Sequence, residues 1–213
     1  MSDARDVIAA RAARELRSGE VVNLGIGIPN RIPDFLDRSA EMFLHTENGL
    51  LGVGPRPAPD DVDLELIDAG KQPVTLTPGA AVFDSAASFA MIRGGHIDAV
   101  VLGALQVSEA GDIANWMVPG GTTLGVGGAM DLVVGAKRVI VTMLAKTSDG
   151  QAKLVPSCTF PLTAAGVVRV VITEHAVFRF ADQGLVLTEL LDGATELTVA
   201  AETTAHYRVA LGG

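Results

Sequence analysis

The sequence of 213 residues contains few cysteines, few aromatic side chains and no long apolar segment. Cys158 is the only cysteine, so no disulfide can form within the chain and no cysteine-based metal site can assemble. A lone cysteine can be a nucleophile, but it more often behaves as a small buried apolar residue. The longest apolar runs, residues 98–105 and 167–173, fall far short of the ~20 residues that span a bilayer. These absences exclude a disulfide scaffold and predict no membrane association.

Positive charge is also scarce, since 16 Lys and Arg residues face 25 Asp and Glu residues and the net charge is −9. An acidic protein is poorly suited to bind a phosphate backbone, so we predict no nucleic-acid partner. A local cluster of cations can still bind a small polyanion, and coenzyme A (CoA) or a nucleotide is therefore not excluded. The first 17 residues are polar and lack the apolar stretch of a signal peptide, which predicts a cytoplasmic location.

Apolar residues, at 48% of the chain, are arranged as expected for one α/β domain. Continuous β-branched runs predict strands buried on both faces at residues 99–103, 138–143 and 167–172. The other predicted strands are 20–24, 42–46 and a hairpin of 177–180 with 185–189. Helices are predicted at 3–17, 31–38, 84–92 and, in the tail, 195–206. We therefore predict a single domain over residues 1–213, with a mixed, mostly parallel sheet flanked by helices.

Five glycine clusters mark the chain, at residues 25–27, 49–54, 94–95, 120–121 and 125–128. The first follows a predicted strand but reads G-x-G-x-x-N, so it lacks the third glycine of a dinucleotide-binding fold. The phosphate-binding pattern G-x-x-x-x-G-K-[ST] and the pattern G-x-S-x-G are also absent. Any one cluster is typical of a turn. Five of them favour a backbone whose N–H groups are exposed to a ligand.

Glu47 is the strongest candidate for chemistry on residue type and position alone. It follows an apolar predicted strand and precedes Asn48-Gly49, a strong turn signal, which places it at a strand end where open α/β sheets bind ligands. A solvated carboxylate at a strand end remains the alternative.

The sequence contains four histidines, His45, His96, His175 and His206. Their spacing is not that of metal ligands, so no metal site is predicted.

Six motifs together make the chain resemble the β subunits of family I CoA-transferases. They are V-N-L-G-I-G-I-P (22–29), E-N-G-L-L-G (47–52), A-G-K (69–71), M-I-R-G-G-H-I-D (91–98), G-D-I-A-N-W (111–116) and G-G-A-M-D (127–131). The relatives nearest in pattern act on acetoacetate with succinyl-CoA, or on 3-oxoadipate. The resemblance covers about residues 5–195, with the motifs in the same order and at similar spacings.

The resemblance implies roles for particular residues. Glu47 matches the nucleophile of the S-E-N-G motif, and the backbone N–H of Gly128 matches a donor of the oxyanion hole. Asn23 and Lys71 match residues beside the catalytic carboxylate and CoA. The same motifs imply that substrate or CoA is also contacted at Gly25, Gly27, Asn48, Gly127 and Ala129.

The resemblance further implies that this chain is half of an enzyme. We expect a partner, the α subunit, in an αβ heterodimer or an α2β2 heterotetramer. CoA and acyl-CoA would be substrates, and no cofactor or metal is expected. Thr46, Asp68 and Gly121 depart from the family pattern, and the loop at 120–124 is expected to influence which acid is accepted. Two alternatives stay open, a sugar-phosphate isomerase-like enzyme and a non-catalytic ligand-binding subunit.

Overall fold

The computed structural model describes residues 3–37, 41–121, 125, 127–182 and 184–212. Four α-helices lie within these ranges, α1 (Ala4–Ala13), α2 (Ser85–Arg93), α3 (Ala129–Gly135) and α4 (Glu196–Glu202). The first strands are β1 (Val21–Leu24), β2 (Phe43–Thr46), β3 (Leu50–Val53), β4 (Leu76–Val82) and β5 (Ala99–Gly103). They are followed by β6 (Gln106–Ser108), β7 (Ile113–Ala114), β8 (Val139–Thr142) and β9 (Leu154–Val155). The last strands are β10 (Val168–Ile172), β11 (Ala176–Ala181), β12 (Gly184–Leu190) and β13 (Arg208–Val209).

Ten strands form one sheet in the order β13-β12-β11-β10-β8-β5-β1-β2-β3-β4. The five central strands, from β10 to β2, run parallel, and antiparallel pairs flank them on both sides. A second sheet has the order β7-β6-β9. The predicted α/β fold with a mixed, mostly parallel sheet is therefore confirmed.

Both faces of the central strands are buried, which explains their continuous apolar sequences. One face packs against α2 and α3 through Ile92 and Leu132, and the other packs against α1 through Ile8 and Ala12. Every residue of β8 is buried. The sheet is thus a rigid support whose strand ends hold the polar residues.

The predicted helices exist, but their ends differ from the prediction. α1 ends at Ala13 rather than at residue 17, and the segment predicted as a helix at 31–38 is a 3₁₀ helix over Pro29–Phe35. Pro33 lies inside that segment and has no N–H for an α-helical hydrogen bond. Arg38 lies outside the described residues. The tail helix α4 stops at Glu202, so the prediction of helix for 203–206 was wrong.

The predicted strands are confirmed to within one or two residues at either end. β3, β4 and the short strands β6, β7, β9 and β13 were not predicted. Within the described ranges, none of the helices has the length and apolar character of a membrane-spanning segment.

Candidate active site

Glu47 begins the turn that joins β2 to β3, at the edge of the sheet where the parallel strands β1 and β2 both end. Gly49 closes this turn with φ +120°, and Phe83 N donates to Gly49 O at 3.0 Å. A Cβ on Gly49 would lie 2.0 Å from Phe83 O, so only glycine fits. The turn therefore holds the half-buried Glu47 side chain at the strand end.

Asn23 is the nearest polar neighbour of Glu47. It is fully buried on β1, paired in register with His45 of β2. The Asn23 side-chain nitrogen lies 3.4 Å from Glu47 Oε2 and 3.1 Å from His45 Nδ1. A single amide group thus contacts both the candidate nucleophile and a buried imidazole.

His45 is buried, and its second ring nitrogen lies 3.1 Å from Oγ of Ser88, a fully buried residue of α2. Burial lowers the pKa of His45 to about 4, so the ring is neutral near pH 7. Because Nδ1 accepts from the Asn23 amide, the ring proton resides on Nε2 and is donated to Ser88. His45 thereby keeps the amide nitrogen of Asn23, and not its oxygen, directed at Glu47.

Gly128 is brought to Glu47 from a distant part of the sequence. It immediately precedes α3, and a Cβ built on it would lie 3.6 Å from Glu47 Cγ and 2.9 Å from Phe89 Cζ. The first backbone N–H groups of a helix have no partner inside the helix. Gly127 adopts φ +52° beside it, and Ala129 is the first residue of α3. The structure therefore places a glycine turn at the start of a helix against the candidate nucleophile.

Asn48 links the Glu47 turn to a second turn. Its side chain accepts from Thr46 Oγ1 at 2.5 Å and donates to Ile67 O at 2.8 Å. The second turn contains Lys71, which has φ +62° and donates its N–H to Asp68 O at 3.0 Å. Asn48 therefore orients the loop that carries Lys71.

Gly70 packs this loop against the segment after β1, since a Cβ on it would lie 3.4 Å from Ile26 Cγ1. Gly27 has φ +95° with open space around it, whereas a Cβ on Gly25 would lie 2.8 Å from Leu102 Cδ2. Within the described part of the chain, neither Lys71 nor Gly27 forms a hydrogen bond or ion pair with Glu47.

A cleft of about 850 Å³ lies at the carboxyl ends of β5 and β8, and sequence reasoning missed it. Its lining includes Thr142, which is buried and whose Oγ1 has no hydrogen-bond partner among the described residues. Lys153 also lines it, and burial lowers the pKa of this amine to about 8. Val118, which also lines the cleft, comes just before the loop expected to influence substrate choice. Residues 122–124 of that loop are outside the described residues. In the sheet, β8 is three strands away from β2, the strand that precedes Glu47. At ~4.8 Å per strand, β8 and β2 are about 14 Å apart.

Comparisons with known proteins identify the family to which the chain belongs. A family profile described as Coenzyme A transferase matches residues 5–200. The chain is 51% identical over 208 residues to the beta subunit of the acetate CoA-transferase of Escherichia coli K12, covering 98% of this chain and 95% of that one. It is 48% identical over 207 residues to one subunit of the succinyl-CoA:3-ketoacid coenzyme A transferase of Helicobacter pylori 26695, covering 97% of this chain and all of that one.

Among solved structures, the apoenzyme of the acyl-CoA transferase YdiF from Escherichia coli O157:H7 superposes with a TM-score of 0.79 at 21% identity. The match covers 99% of this chain, which spans only 43% of the YdiF chain. At this identity the superposition shows a shared fold.

Proposed function

The chain belongs to the coenzyme A transferase family, and we propose that it is the catalytic β subunit of a 3-oxoacid CoA-transferase with Glu47 as nucleophile. The observation that carries this proposal is the convergence of Glu47, Asn23 and Gly128 at one edge of the sheet. These residues come from three separate motifs, and each supplies a different requirement of acyl transfer, namely a nucleophile, a side-chain donor and a backbone donor.

The first half of the reaction transfers CoA to the enzyme. The Glu47 carboxylate attacks the thioester carbonyl of the acyl-CoA, and collapse of the tetrahedral adduct forms a mixed anhydride and releases CoA thiolate. The thiolate then attacks the glutamyl carbonyl and expels the first carboxylate. The product is a thioester between Glu47 and CoA, a covalent intermediate that divides one difficult transfer into easier steps.

The second half runs the same steps with a new acid. Its carboxylate attacks the glutamyl thioester, which forms a second anhydride and releases CoA thiolate. The thiolate attacks the acyl carbonyl of that anhydride, so the new acyl-CoA leaves and the Glu47 carboxylate is restored. A carboxylate nucleophile suits this exchange because it can carry first the acyl group and then CoA.

Every step passes through an oxyanion, for which the Gly127-Gly128 turn is the proposed donor. One such donor is typically worth about 3 kcal/mol in the transition state. The absence of a Cβ at Gly128 leaves room beside Glu47 Cγ for the reacting carbon. Asn23 donates to the Glu47 carboxylate, and we assign His45 and Ser88 as the positioning residues that hold Asn23 in that orientation.

The cleft beside β5 and β8 is the proposed location for part of the CoA molecule. Its volume, about 850 Å³, falls within the usual 300–1,000 Å³ range of ligand pockets. Lys153 offers a cation, and the unpartnered Thr142 hydroxyl offers a hydrogen bond. Binding energy from this remote part of the substrate would be available to favour the transition state at Glu47.

We propose acetoacetate or 3-oxoadipate as the accepted acid and succinyl-CoA as the donor. Acetate is the second candidate for the accepted acid, because the relative at 51% identity carries the name of an acetate CoA-transferase. Both relatives are named as single subunits, which implies a partner subunit in the complex. We also propose an αβ or α2β2 assembly, no requirement for a cofactor and a cytoplasmic location.

Steady-state kinetics of the chain assembled with its partner subunit test this function. Succinyl-CoA would be varied against acetoacetate, 3-oxoadipate and acetate in turn. Parallel double-reciprocal lines, the pattern of a covalent enzyme intermediate, are expected for the true acid. Intersecting lines for all three acids, or full activity of this chain alone, would contradict the proposal.

A further inference from the structure

A second concave surface lies at the edge of the sheet opposite Glu47. It is a groove of about 790 Å³ between α1 and the strands β8, β10, β11 and β12, and we call it the basic groove. Seven cationic side chains line it, out of 16 in a chain of net charge −9. Such a concentration in an acidic protein calls for a physical reason.

Four of these cations have carboxylate partners. Arg11 and Arg179 share Glu15, Arg138 pairs with Glu20 and Lys137 pairs with Asp98. Glu189, which also binds Arg11, brings further negative charge.

The other three cations, Arg14, Arg17 and Arg169, form no ion pair within the described residues. The seven cations outnumber the carboxylates that pair with them by three, which leaves three surplus positive charges around the groove. The four carboxylates are Glu15, Glu20, Asp98 and Glu189.

Arg169 is directed outward by an irregularity of the central sheet. Val168 pairs with Val139 and Val170 pairs with Ile140, so Arg169 has no opposite residue and forms a bulge in β10. Its side chain is exposed and lines the groove. Bulges commonly serve to redirect a side chain, and this one turns a guanidinium out of an otherwise buried strand.

Glu15 holds two further guanidinium groups in place. It is buried, with a side-chain exposure of 7%, and it accepts from Arg179 Nη1 and Nη2 at 3.0 and 2.5 Å and from Arg11 Nη1 at 2.8 Å. Burial raises the pKa of the Glu15 carboxyl, but the hydrogen bonds from Arg179 and Arg11 outweigh it and keep the pKa below its usual value. A buried ion network adds little net stability, yet it does fix the guanidinium groups in position.

We propose that the basic groove binds a small molecule that carries two or more linked phosphate groups. Guanidinium groups bind phosphate through paired N–H donors, and the three surplus charges suit a diphosphate or triphosphate. Apart from Val170 and Phe180, the lining is charged, whereas the centre of a protein interface is depleted of charge. This composition favours a small anion over a partner protein. The groove begins at the amino ends of β8 and β10, so it is a site separate from the carboxyl-end chemistry.

Isothermal titration calorimetry on the chain assembled with its partner subunit tests the proposal, with pyrophosphate and ATP as probes and AMP as the single-phosphate comparison. Arg169→Gln, and the double variant Arg14→Gln with Arg17→Gln, are expected to weaken pyrophosphate binding at least tenfold. Arg208→Gln removes an exposed cation of β13 and is the matched control; it should bind as wild type does. All variants should keep the wild-type rate of CoA transfer, which verifies their folding independently of the groove.

Three results would overturn the proposal. The first is the absence of heat with pyrophosphate and ATP at millimolar concentration, and the second is a loss of affinity in the control variant as large as that in Arg169→Gln. The third is binding of pyrophosphate by the isolated chain but not by the assembled complex, since the groove would then be a subunit interface. None of these results depends on whether Glu47 is the nucleophile.

Discussion

The side-chain nitrogen of Asn23 lies 3.4 Å from Oε2 of Glu47, and the same nitrogen lies 3.1 Å from Nδ1 of His45. The amide is therefore shared between the carboxylate that we propose as the nucleophile and an imidazole that stays neutral. Since Asn23 and His45 are opposite each other on parallel strands, the sheet itself sets this geometry. The orientation of Glu47 therefore depends on the pairing of β1 with β2 and on the buried imidazole of His45.

Replacing His45 with leucine removes the acceptor that holds the Asn23 amide. We expect the rate at saturating acyl-CoA to fall about tenfold, the effect of one ordinary hydrogen bond, while KM changes little. His45→Asn, whose side-chain oxygen occupies the position of Nδ1 as acceptor, should recover much of the rate. Both rates are measured on the assembled complex, with melting temperatures as the folding control. Equal losses in the two variants would mean that His45 only fills space.

Replacing Gly128 with alanine adds a methyl group beside the nucleophile. The backbone at Gly128 has φ −85°, which alanine adopts without strain, so the damage should come from the new Cβ alone. We expect kcat to fall by ~10²-fold or more as the oxyanion site is disturbed. The double variant Gly128→Ala with Phe89→Leu relieves the 2.9 Å contact with Phe89 Cζ. Full recovery in the double variant would show that the Phe89 clash, and not the oxyanion site, caused the loss.

The free energy of unfolding should fall as the pH drops from about 6.5 to about 4. The pKa of His45 is near 4 in the folded chain because the ring is buried, against 6.5 as its ordinary value. In that window the unfolded chain binds a proton that the folded chain does not, so acid favours unfolding. The full effect is on the order of 3 kcal/mol.

Urea unfolding at pH 7 and pH 4.5 measures this loss of stability. His45→Gln should lose clearly less stability than wild type between the two pH values. His96→Gln, which alters an exposed histidine, should lose as much as wild type. If His45→Gln and wild type lose equal amounts, the depressed pKa of His45 is refuted.

The sequence predicted the main parts of the fold and, through the resemblance, Glu47, Asn23 and Gly128 of the candidate site. β5, β8 and β10 are recognisable because strands buried on both faces must be continuously apolar, and Glu47 is recognisable because Asn48-Gly49 ends its strand. Residue type alone, however, left Glu47 open to interpretation as a solvated carboxylate. The resemblance carried by the six motifs favours the catalytic interpretation of Glu47.

Features that depend on register or on distant segments could not be predicted from the sequence. His45 had no recognisable role because its contacts with Asn23 and Ser88 require the pairing of β1 with β2 and the placement of α2. The basic groove gathers cations from α1 and from strands that are far apart in the chain. Gly25 was predicted to contact substrate, but its close packing against Leu102 gives it a structural reason to be glycine.

The most direct test of the central claim is the intact mass of this chain after exposure to acyl-CoA. The chain, assembled with its partner subunit, would be mixed with succinyl-CoA or acetoacetyl-CoA and measured at once. We predict a gain equal to CoA less one water in wild type and in the control Glu65→Ala, and no gain in Glu47→Ala. An adduct that persists in Glu47→Ala, or no adduct with any acyl-CoA including 3-oxoadipyl-CoA, would contradict Glu47 as the nucleophile and favour a non-catalytic subunit or another chemistry.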